Sequence, residues 1–378
     1  VMRRPVLVLV PTLAVLAVMA APFRKIELIA ADVRILHADV EARKGYETLK
    51  RDFPEIGDNR VVIAVAFPSA PALNPDRIGA LYDLSKRVAA IPHVTKVESI
   101  VSAPGLDKED LQTVLIDPPD LYKVQIDAGK KMTVADRYVL LYALTDSTPE
   151  SRASEDVVRG IRRQRTVLDG SLVVGGQTAE NMDGTAFIAD RTPRAIAFVM
   201  LMTFVILFLM FGSVVIPLKA MAMNMVSVAS SFGALVWIFQ EGHLGIADAR
   251  PIDHGLPVLL FCILFGLSMD YEVLMLSRIK ETYDATRDNT HAVADGLEKT
   301  AGLITSAAAI MVCVFAAFAF AKIVLIQAVG FGMALAVTID ATLVRLLLAP
   351  ATMRLFGDKN WWAPAPLLKV RALLGFPS

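Results

Sequence analysis

The sequence contains only two cysteines, Cys262 and Cys313, and both lie in apolar runs. Two such residues cannot build a disulfide framework or a cysteine-rich metal site. Charged residues make up only 20% of the chain, and 38 basic side chains balance 38 acidic ones. A nucleic-acid-binding protein would carry a basic excess, so we expect no nucleic acid as a partner.

Motifs for cofactor and nucleotide chemistry are also missing from the sequence. It contains no G-x-x-x-x-G-K-[ST] phosphate loop, so we do not expect this chain to hydrolyse ATP itself. His37 and His93 are isolated histidines of the kind that is more often structural than ligating. With no cluster of nucleophile and base, the sequence predicts no enzyme, no bound cofactor and no metal.

Apolar residues are abundant, at 55% of the 378 residues, and the mean hydropathy is +0.53. Six apolar stretches are each about as long as the roughly 20 helical residues that cross a bilayer. The sequence therefore predicts a polytopic α-helical membrane protein with one span, a soluble segment and five further spans. These spans are expected near 5–22, 194–213, 217–239, 256–276, 301–321 and 324–347.

The predicted organisation is a first transmembrane helix (1–22), a soluble domain (23–190), a five-helix block (191–349) and a cytoplasmic tail (350–378). The soluble segment alternates β-rich runs with helical patterns, and Asn74-Pro75-Asp76 and Thr148-Pro149-Glu150 are expected to open helices. Two β-α-β units with a helical insertion near 106–130 predict a ferredoxin-like α+β domain. The expected strands are Val61–Phe67, Val94–Val101, Arg137–Leu144 and Ser171–Val174.

Basic residues in the short loops predict orientation in the cell membrane. With both termini cytoplasmic, the opposite short loops hold only Arg250 and Lys322, and residues 23–190 are extracytoplasmic. The first stretch has a second interpretation, because Arg3-Arg4, an apolar run and Met19-Ala20-Ala21 resemble a cleavable secretory signal. The residues expected on the cytoplasmic side are Arg3, Arg4, Lys219, Arg278, Lys280, Arg287, Lys299, Arg354, Lys359, Lys369 and Arg371.

Ionisable residues inside spans are costly and point to function. At about 1.5 Å per residue, Asp270, Asp340 and the hydroxyls of Thr305 and Ser306 are expected in one layer toward the cytoplasm. A buried carboxylate prefers its neutral form, so such a layer can bind and release protons. Ser268, close to Asp270, is expected to support the same layer.

Several of these residues could also have a structural role without any function in proton transfer. Glu272 and Arg345 lie nearer the ends of their spans and are candidates for snorkelling toward the headgroups, and Arg345 could instead form a structural pair. Asp270 and Asp340 could serve only as structural hydrogen-bonding groups. Asp340 and Arg345 are five residues apart, which in an α-helix places them on different faces, so we expect different partners for them. Gly330-Phe331-Gly332 lies in an apolar span and predicts close helix packing.

Residues 266–281, which read GLSMDYEVLMLSRIKE, resemble the fourth-span motif of the MMPL family of RND-superfamily lipid transporters. Residues 39–46, 53–54, 287–297, 305–306 and 340–350 resemble the same family. The resemblance implies an RND fold with an extracytoplasmic porter-type domain, and export of lipids or other hydrophobic compounds driven by the proton motive force. It implies a proton relay through Asp270 and Tyr271, with Asp340 and Arg345 as its supporting network.

This chain departs from the family because it has one six-span repeat where members usually have two. The residues of its fourth-span motif resemble those of the C-terminal repeat. The sequence also begins abruptly with Val1-Met2-Arg3. The sequence therefore predicts a half that needs a second six-span half, as a homodimer or a separate chain, and that could contact envelope accessory proteins. The alternatives are a lipid-binding or regulatory module resembling sterol-sensing proteins, and an inactive truncated half.

Overall fold

The computed structural model describes residues 1–29, 33, 36, 37, 39–53, 59–103, 105–245, 252–321 and 323–375. The chain divides into two compact units, one formed by Val1–Val40 with Ile188–Ser378 and the other by Glu41–Phe187. Pro54, Arg250 and Lys322, which entered the sequence predictions, lie outside the described residues.

Helices make up most of the described chain, and the strands are short. The helices are Pro5–Ala20 (α1), Glu41–Asp52 (α2), Pro75–Ala89 (α3), Lys108–Ile116 (α4), Asp120–Thr133 (α5), Arg152–Arg162 (α6), Gln177–Phe211 (α7), Val215–Leu235 (α8), Leu256–Thr286 (α9), Asn289–Phe318 (α10), Val324–Ile339 (α11), Ala349–Phe356 (α12) and Ala365–Leu373 (α13). The strands are Leu28–Ile29 (β1), Asn59–Ala66 (β2), Val94–Glu98 (β3), Tyr138–Thr145 (β4), Thr166–Val167 (β5), Gly170–Gly175 (β6) and Ile252–Asp253 (β7).

Six described helical segments are long and apolar enough to cross a membrane, in agreement with the six predicted spans. Several of these helices begin before the predicted apolar run, because polar residues on its N-terminal side belong to the same helix. Asp288 sets the start of α10, since its carboxylate accepts hydrogen bonds from the backbone N–H of Thr290 at 2.8 Å and His291 at 3.1 Å. The segments are Pro5–Lys25, Gln177–Phe211, Val215–Gln240, Leu256–Thr286, Asn289–Phe318 and Val324–Trp361.

Small residues let the apolar helices approach closely. A Cβ added at Gly330 would lie 2.6 Å from the backbone oxygen of Phe315, so α10 and α11 are in backbone contact there. Gly332 lies against the side chain of Leu235 on α8. These contacts confirm the packing predicted for Gly330-Phe331-Gly332. On α1, the carbonyl of Leu16 accepts a 3.0 Å hydrogen bond from the Ser230 hydroxyl of α8.

The unit Glu41–Phe187 contains a five-stranded antiparallel sheet with the strand order β3-β4-β2-β6-β5. Helix α3 connects β2 to β3, and α6 follows β4, so the chain runs β-α-β-β-α-β through the four long strands. Val61, Ile63 and Val65 alternate along β2 and are fully buried, as expected for a strand with one face on a core. The predicted insertion near 106–130 forms α4 and α5.

Two predicted boundaries in this unit were wrong. Thr148 does not open α6, because its carbonyl accepts a 3.0 Å hydrogen bond from the backbone N–H of Ser151 and so closes a turn. Ser151 is the N-cap instead, since its hydroxyl accepts from the backbone N–H of Ser154 at 3.2 Å. Strand β3 ends at Glu98 and does not reach Val101, because Ser99 and Ser102 form a hydrogen-bonded turn.

The guanidinium of Arg77 joins α3 to the β5–β6 turn. Arg77 is only 4% exposed, and its Nη2 lies 2.6 Å from a carboxylate oxygen of Asp169. It also donates to the backbone oxygens of Ser69 at 2.7 Å and Pro71 at 2.8 Å, and stacks 4.5 Å from the ring centre of Phe67. The neighbouring guanidinium holds the pKa of the Asp169 carboxyl below its usual value.

The close approach at Gly330 yields a stability prediction. Gly330→Ala should destabilise the helical unit by about 1–3 kcal/mol, because the new methyl group meets the backbone of α10. Gly302→Ala, on α10 with nothing within 4 Å of the added Cβ, is the matched control and should leave stability unchanged or raise it slightly. Thermal unfolding of both variants in detergent micelles measures the difference. Equal melting temperatures would contradict the packing.

The Arg77–Asp169 pair predicts a pH dependence. Because the pKa of Asp169 is lower in the folded state than its ordinary value of 3.8, the pair stabilises the fold above that pH. The contribution is lost as the pH falls through the folded-state value. Amide hydrogen exchange in α3 should therefore be faster in Asp169→Asn than in the wild type at pH 7, and the two should converge in strong acid. Asp156→Asn, at an exposed pair with Arg159, should show no difference at either pH.

Candidate functional site

A buried ion pair lies within the apolar helical unit. Asp340 Oδ2 accepts a 2.8 Å hydrogen bond from Arg345 Nε, and the two residues are 8% and 3% exposed. The sequence prediction that they reach different partners was wrong, because Asp340–Leu348 forms a π-helix. Hydrogen bonds in a π-helix run from residue i to i+5, which brings residues five apart onto one face. π-helical turns inside α-helices often occur at functional sites.

The guanidinium of Arg345 extends from this pair to α9. Its Nη2 donates to the backbone oxygen of Ser268 and lies 3.1 Å from the Ser268 hydroxyl. Its central carbon lies 5.3 Å from the ring centre of Tyr271, within the range of a cation–π contact. Arg345 is therefore buried and paired, and the snorkelling interpretation of this residue was wrong. Its remaining nitrogen, Nη1, is buried without a hydrogen-bond partner among the described residues.

Asp270 and Tyr271 point in different directions from α9. The Tyr271 hydroxyl donates to the sulfur of Met311 on α10 at 3.4 Å. Asp270 is exposed, on the same helical face as Leu259, Cys262 and Gly266. Neighbouring residues in a helix differ by about 100°, so only one of the two can face the ion pair.

Thr305 and Ser306 do not join the buried cluster. Both are exposed, and the Ser306 hydroxyl donates to the Leu303 carbonyl of its own helix at 3.0 Å. The packed face of α10 is instead formed by Ile304 and Ala308, which are buried one turn apart. The predicted layer therefore consists of Asp340 with Arg345 and Ser268, while the hydroxyls of α10 lie on another side of that helix.

Two further polar residues belong to the cluster. Glu272 is only 8% exposed and lies near the Asp340–Arg345 pair, so its predicted snorkelling was wrong. It is two residues after Asp270 and therefore emerges on the opposite, packed side of α9. Asn224 on α8 is 2% exposed, and its Nδ2 has no hydrogen-bond partner among the described residues. A sequence search for amides within apolar spans, and not only for charges, would have found Asn224.

Two small clefts adjoin the cluster. The larger has a volume of about 20 Å³ and is lined in part by Ser227 and Tyr271. The smaller has a volume of about 10 Å³, close to the space of one water molecule, and is lined in part by Glu272 and Arg345. Asn224, Ser268 and Asp340 line both. The polar atoms of α8, α9 and the π-helix thus meet at the boundary between the clefts.

The unit Glu41–Phe187 offers no comparable cluster in its described part. Its His93 pairs with Asp146 at 3.2 Å, and His37 of the other unit pairs with Asp39 at 2.7 Å, both in exposed positions. No group of three or more His, Cys, Asp or Glu side chains is arranged to hold a metal ion among the residues that the structure describes. The arrangement that can perform chemistry is the buried cluster, whose carboxyl groups can gain or lose a proton beside a permanently charged guanidinium.

Known proteins resemble this chain over nearly its full length. The sequence profile of the MMPL family matches residues 34–372. The chain is 32% identical over 377 residues to a membrane protein of Streptomyces coelicolor, covering 99% of this chain and 47% of that protein. It is 33% identical over 381 residues to the heme uptake protein MmpL11 of Mycobacterium tuberculosis, covering 100% and 36%. It is 27% identical over 380 residues to the trehalose monomycolate exporter MmpL3 of Mycolicibacterium smegmatis, covering 99% and 35%. The chain thus spans less than half the length of these relatives.

The buried ion pair generates a prediction for stability. Asp340→Leu or Arg345→Met alone should cost about 3–5 kcal/mol, because each leaves a buried charge without its partner. The double variant should regain most of that loss, since both charges are removed together. The exposed pair Arg278–Glu281 is the control, and its removal should cost no more than about 1 kcal/mol. A double-mutant cycle on unfolding in micelles measures the coupling, and additive effects would contradict the pairing.

Proposed function

The chain belongs to the MMPL family, and on that premise we propose that it is one half of a membrane transporter for lipids or other hydrophobic compounds, driven by the proton motive force. The observation that carries this proposal is the Asp340–Arg345 pair, buried beside Tyr271 within helices apolar enough to span a membrane. Charges inside a membrane are costly and mark ion or proton pathways. We therefore assign the chain a transport role and not an enzymatic one.

The coupling step follows from the pair itself. Protonation of Asp340 neutralises the partner of Arg345 and weakens their attraction, while the guanidinium stays charged. Arg345 then depends more on Ser268 and on the ring of Tyr271, both on α9. The positions of the π-helix and α9 relative to each other thus respond to a proton. Such a two-state contact is what a proton-driven transporter needs in order to move its helices.

The exposed position of Asp270 supports the arrangement in two halves. Leu259, Cys262, Gly266 and Asp270 share one uncovered face of α9, and Gly266 leaves room for close approach. A carboxylate in the middle of an apolar span is not expected to face lipid. We propose that a second six-span half, either a second copy or a separate chain, covers this face. Asp270 and Tyr271 then form the proton relay across the junction, and Asp340 and Arg345 support it.

We assign the unit Glu41–Phe187 as an extracytoplasmic porter-type domain with a ferredoxin-like fold. Its four long strands follow the β-α-β-β-α-β order, and β4 lies between β2 and β3 in the sheet. With basic loops retained inside, both termini are cytoplasmic and the protein resides in the cytoplasmic membrane. Envelope accessory proteins are the partners expected for this domain.

The cargo class rests on the relatives. One is named for export of trehalose monomycolate and another for uptake of heme. Both compounds have large apolar parts, so a hydrophobic molecule is the shared chemistry. The two names describe opposite directions of movement, and we therefore define the function by cargo class and energy source.

Transport by the reconstituted complex tests this proposal. Liposomes carrying an imposed pH gradient should show gradient-dependent transfer of a fluorescent acyl trehalose between leaflets. Asp270→Asn should lower that transfer on the order of a hundredfold, because the relay loses a proton carrier. Its matched control is Glu281→Gln, on the same helix at an exposed surface pair, which should leave transfer unchanged.

Two outcomes would contradict the proposal. If Asp270→Asn transfers the lipid as fast as the wild type, the proposed relay through Asp270 is refuted. If lipid binding is saturable and independent of the pH gradient, the protein is a lipid-binding module. The native mass of the complex released from nanodiscs tests the two-half arrangement separately. A dimer, or a complex with a second six-span chain, is expected, and a lone monomer would contradict it.

A further inference from the structure

Glu272 is a buried acid that the relay described above does not use. It is only 8% exposed, and no hydrogen bond to its carboxylate occurs among the described residues. It lines the smaller cleft, of about 10 Å³, together with Asp340 and Arg345. A buried carboxylate without a direct partner is strongly penalised unless it is neutral or hydrated.

Two donors in the same cleft also lack partners. Nη1 of Arg345 and Nδ2 of Asn224 are both buried and unpaired among the residues that the structure describes, and both residues line the cleft with Glu272. Buried polar groups of this kind are commonly satisfied by internal water, which makes two to four hydrogen bonds. Two free donors and two carboxylates supply that number of partners. The cleft therefore has the chemistry of a water site and not of an apolar void.

The cleft leads away from the Tyr271 side of the cluster. Its boundary with the larger cleft is formed by Asn224, Ser268 and Asp340, so Asp340 is reached from both. Lys219, near the start of α8, is close enough to Glu272 to interact with it electrostatically. Lys219 Nζ donates to Oδ1 of the fully buried Asn360 at 3.1 Å. Polar groups thus continue from Asp340 past Glu272 toward one end of the helical unit.

We propose that Glu272 is a second proton-carrying carboxylate, connected to Asp340 by water bound to the free donors of Arg345 and Asn224. This inference rests on the proposed proton-driven transport and adds a branch to its relay. A proton leaves the carboxyl group of Asp340, passes through the water and neutralises the Glu272 carboxylate, and the reverse transfer restores the first state. Arg345 keeps its charge throughout.

The charges around Glu272 suit this exchange. Arg345 and Asp340 line the same cleft as Glu272, so a cation and a second acid both lie beside it. The rest of the cleft wall is largely apolar and comes from Met223, Met275, Val344 and Ala349. Two negative charges side by side repel each other, so ionisation of Asp340 favours a proton on Glu272.

Infrared difference spectroscopy of the complex in nanodiscs tests the proton on Glu272 without any transport. A pH titration of the wild type should contain a protonated-carboxyl band that is absent from Glu272→Gln and retained in Glu281→Gln. Glu281 lies on the same helix in an exposed pair with Arg278 and is the matched control. Asn224→Leu keeps Glu272 but removes one of the water-binding donors, and it should slow exchange of that band in deuterated water.

Transport measurements then place Glu272 in the relay. Gradient-driven transfer of the fluorescent acyl trehalose should fall about a hundredfold in Glu272→Gln and recover in part in Glu272→Asp, which keeps a carboxyl group. An unchanged band in Glu272→Gln, or unchanged transfer beside an inactive Asp270→Asn, would overturn the inference and leave the proposed function standing. Absence of gradient-driven transfer in the wild type would instead refute the proposed function, while the infrared result still reports on Glu272.

Discussion

Asp340 and Arg345 form a charged pair that is buried among apolar helices. The Asp340 carboxylate and the Arg345 guanidinium can be removed from water only if they meet each other and if their other polar atoms find partners. The π-helix over Asp340–Leu348 brings them together, and Ser268 supplies acceptors from α9. The helices that surround the pair, α8 and α9, are therefore arranged around an electrostatic contact as well as around apolar surface.

Around residues 270–272, helix α9 has one face packed against neighbouring helices and another face that is uncovered. Tyr271 and Glu272 face neighbouring helices, whereas Asp270 lies on an uncovered face. Three consecutive residues spread over the circumference of a helix, so one short motif can serve an internal cluster and an external junction together. Protonation of Asp270 would then change the charge on one side of α9, and protonation of Asp340 would change it on the other side. In the proposed two-half assembly, α9 would connect the junction between the halves to the buried pair.

The unit Glu41–Phe187 has a core of a different kind. Its core consists of alternating strand residues such as Val61 and Ile63, covered by α3 and α6, and the buried guanidinium of Arg77 is satisfied by backbone carbonyls and by Asp169. In water the hydrophobic effect stabilises such a core directly. Among apolar helices that drive is weak, and close packing at small residues such as Gly330 takes a larger part.

Hydrophobic runs and period-two alternation are local properties of a chain, so the amino-acid sequence predicted the six apolar helices and most of the strands between the first two of them. It also pointed to Asp270, Tyr271, Asp340 and Arg345 as candidate site residues. Only the tertiary structure decided that Asp340 pairs with Arg345, since the π-helix changes which residues share a face. It likewise separated buried Glu272 from exposed Thr305 and Ser306, because the face that a helix buries is set by its neighbours and not by its own residues.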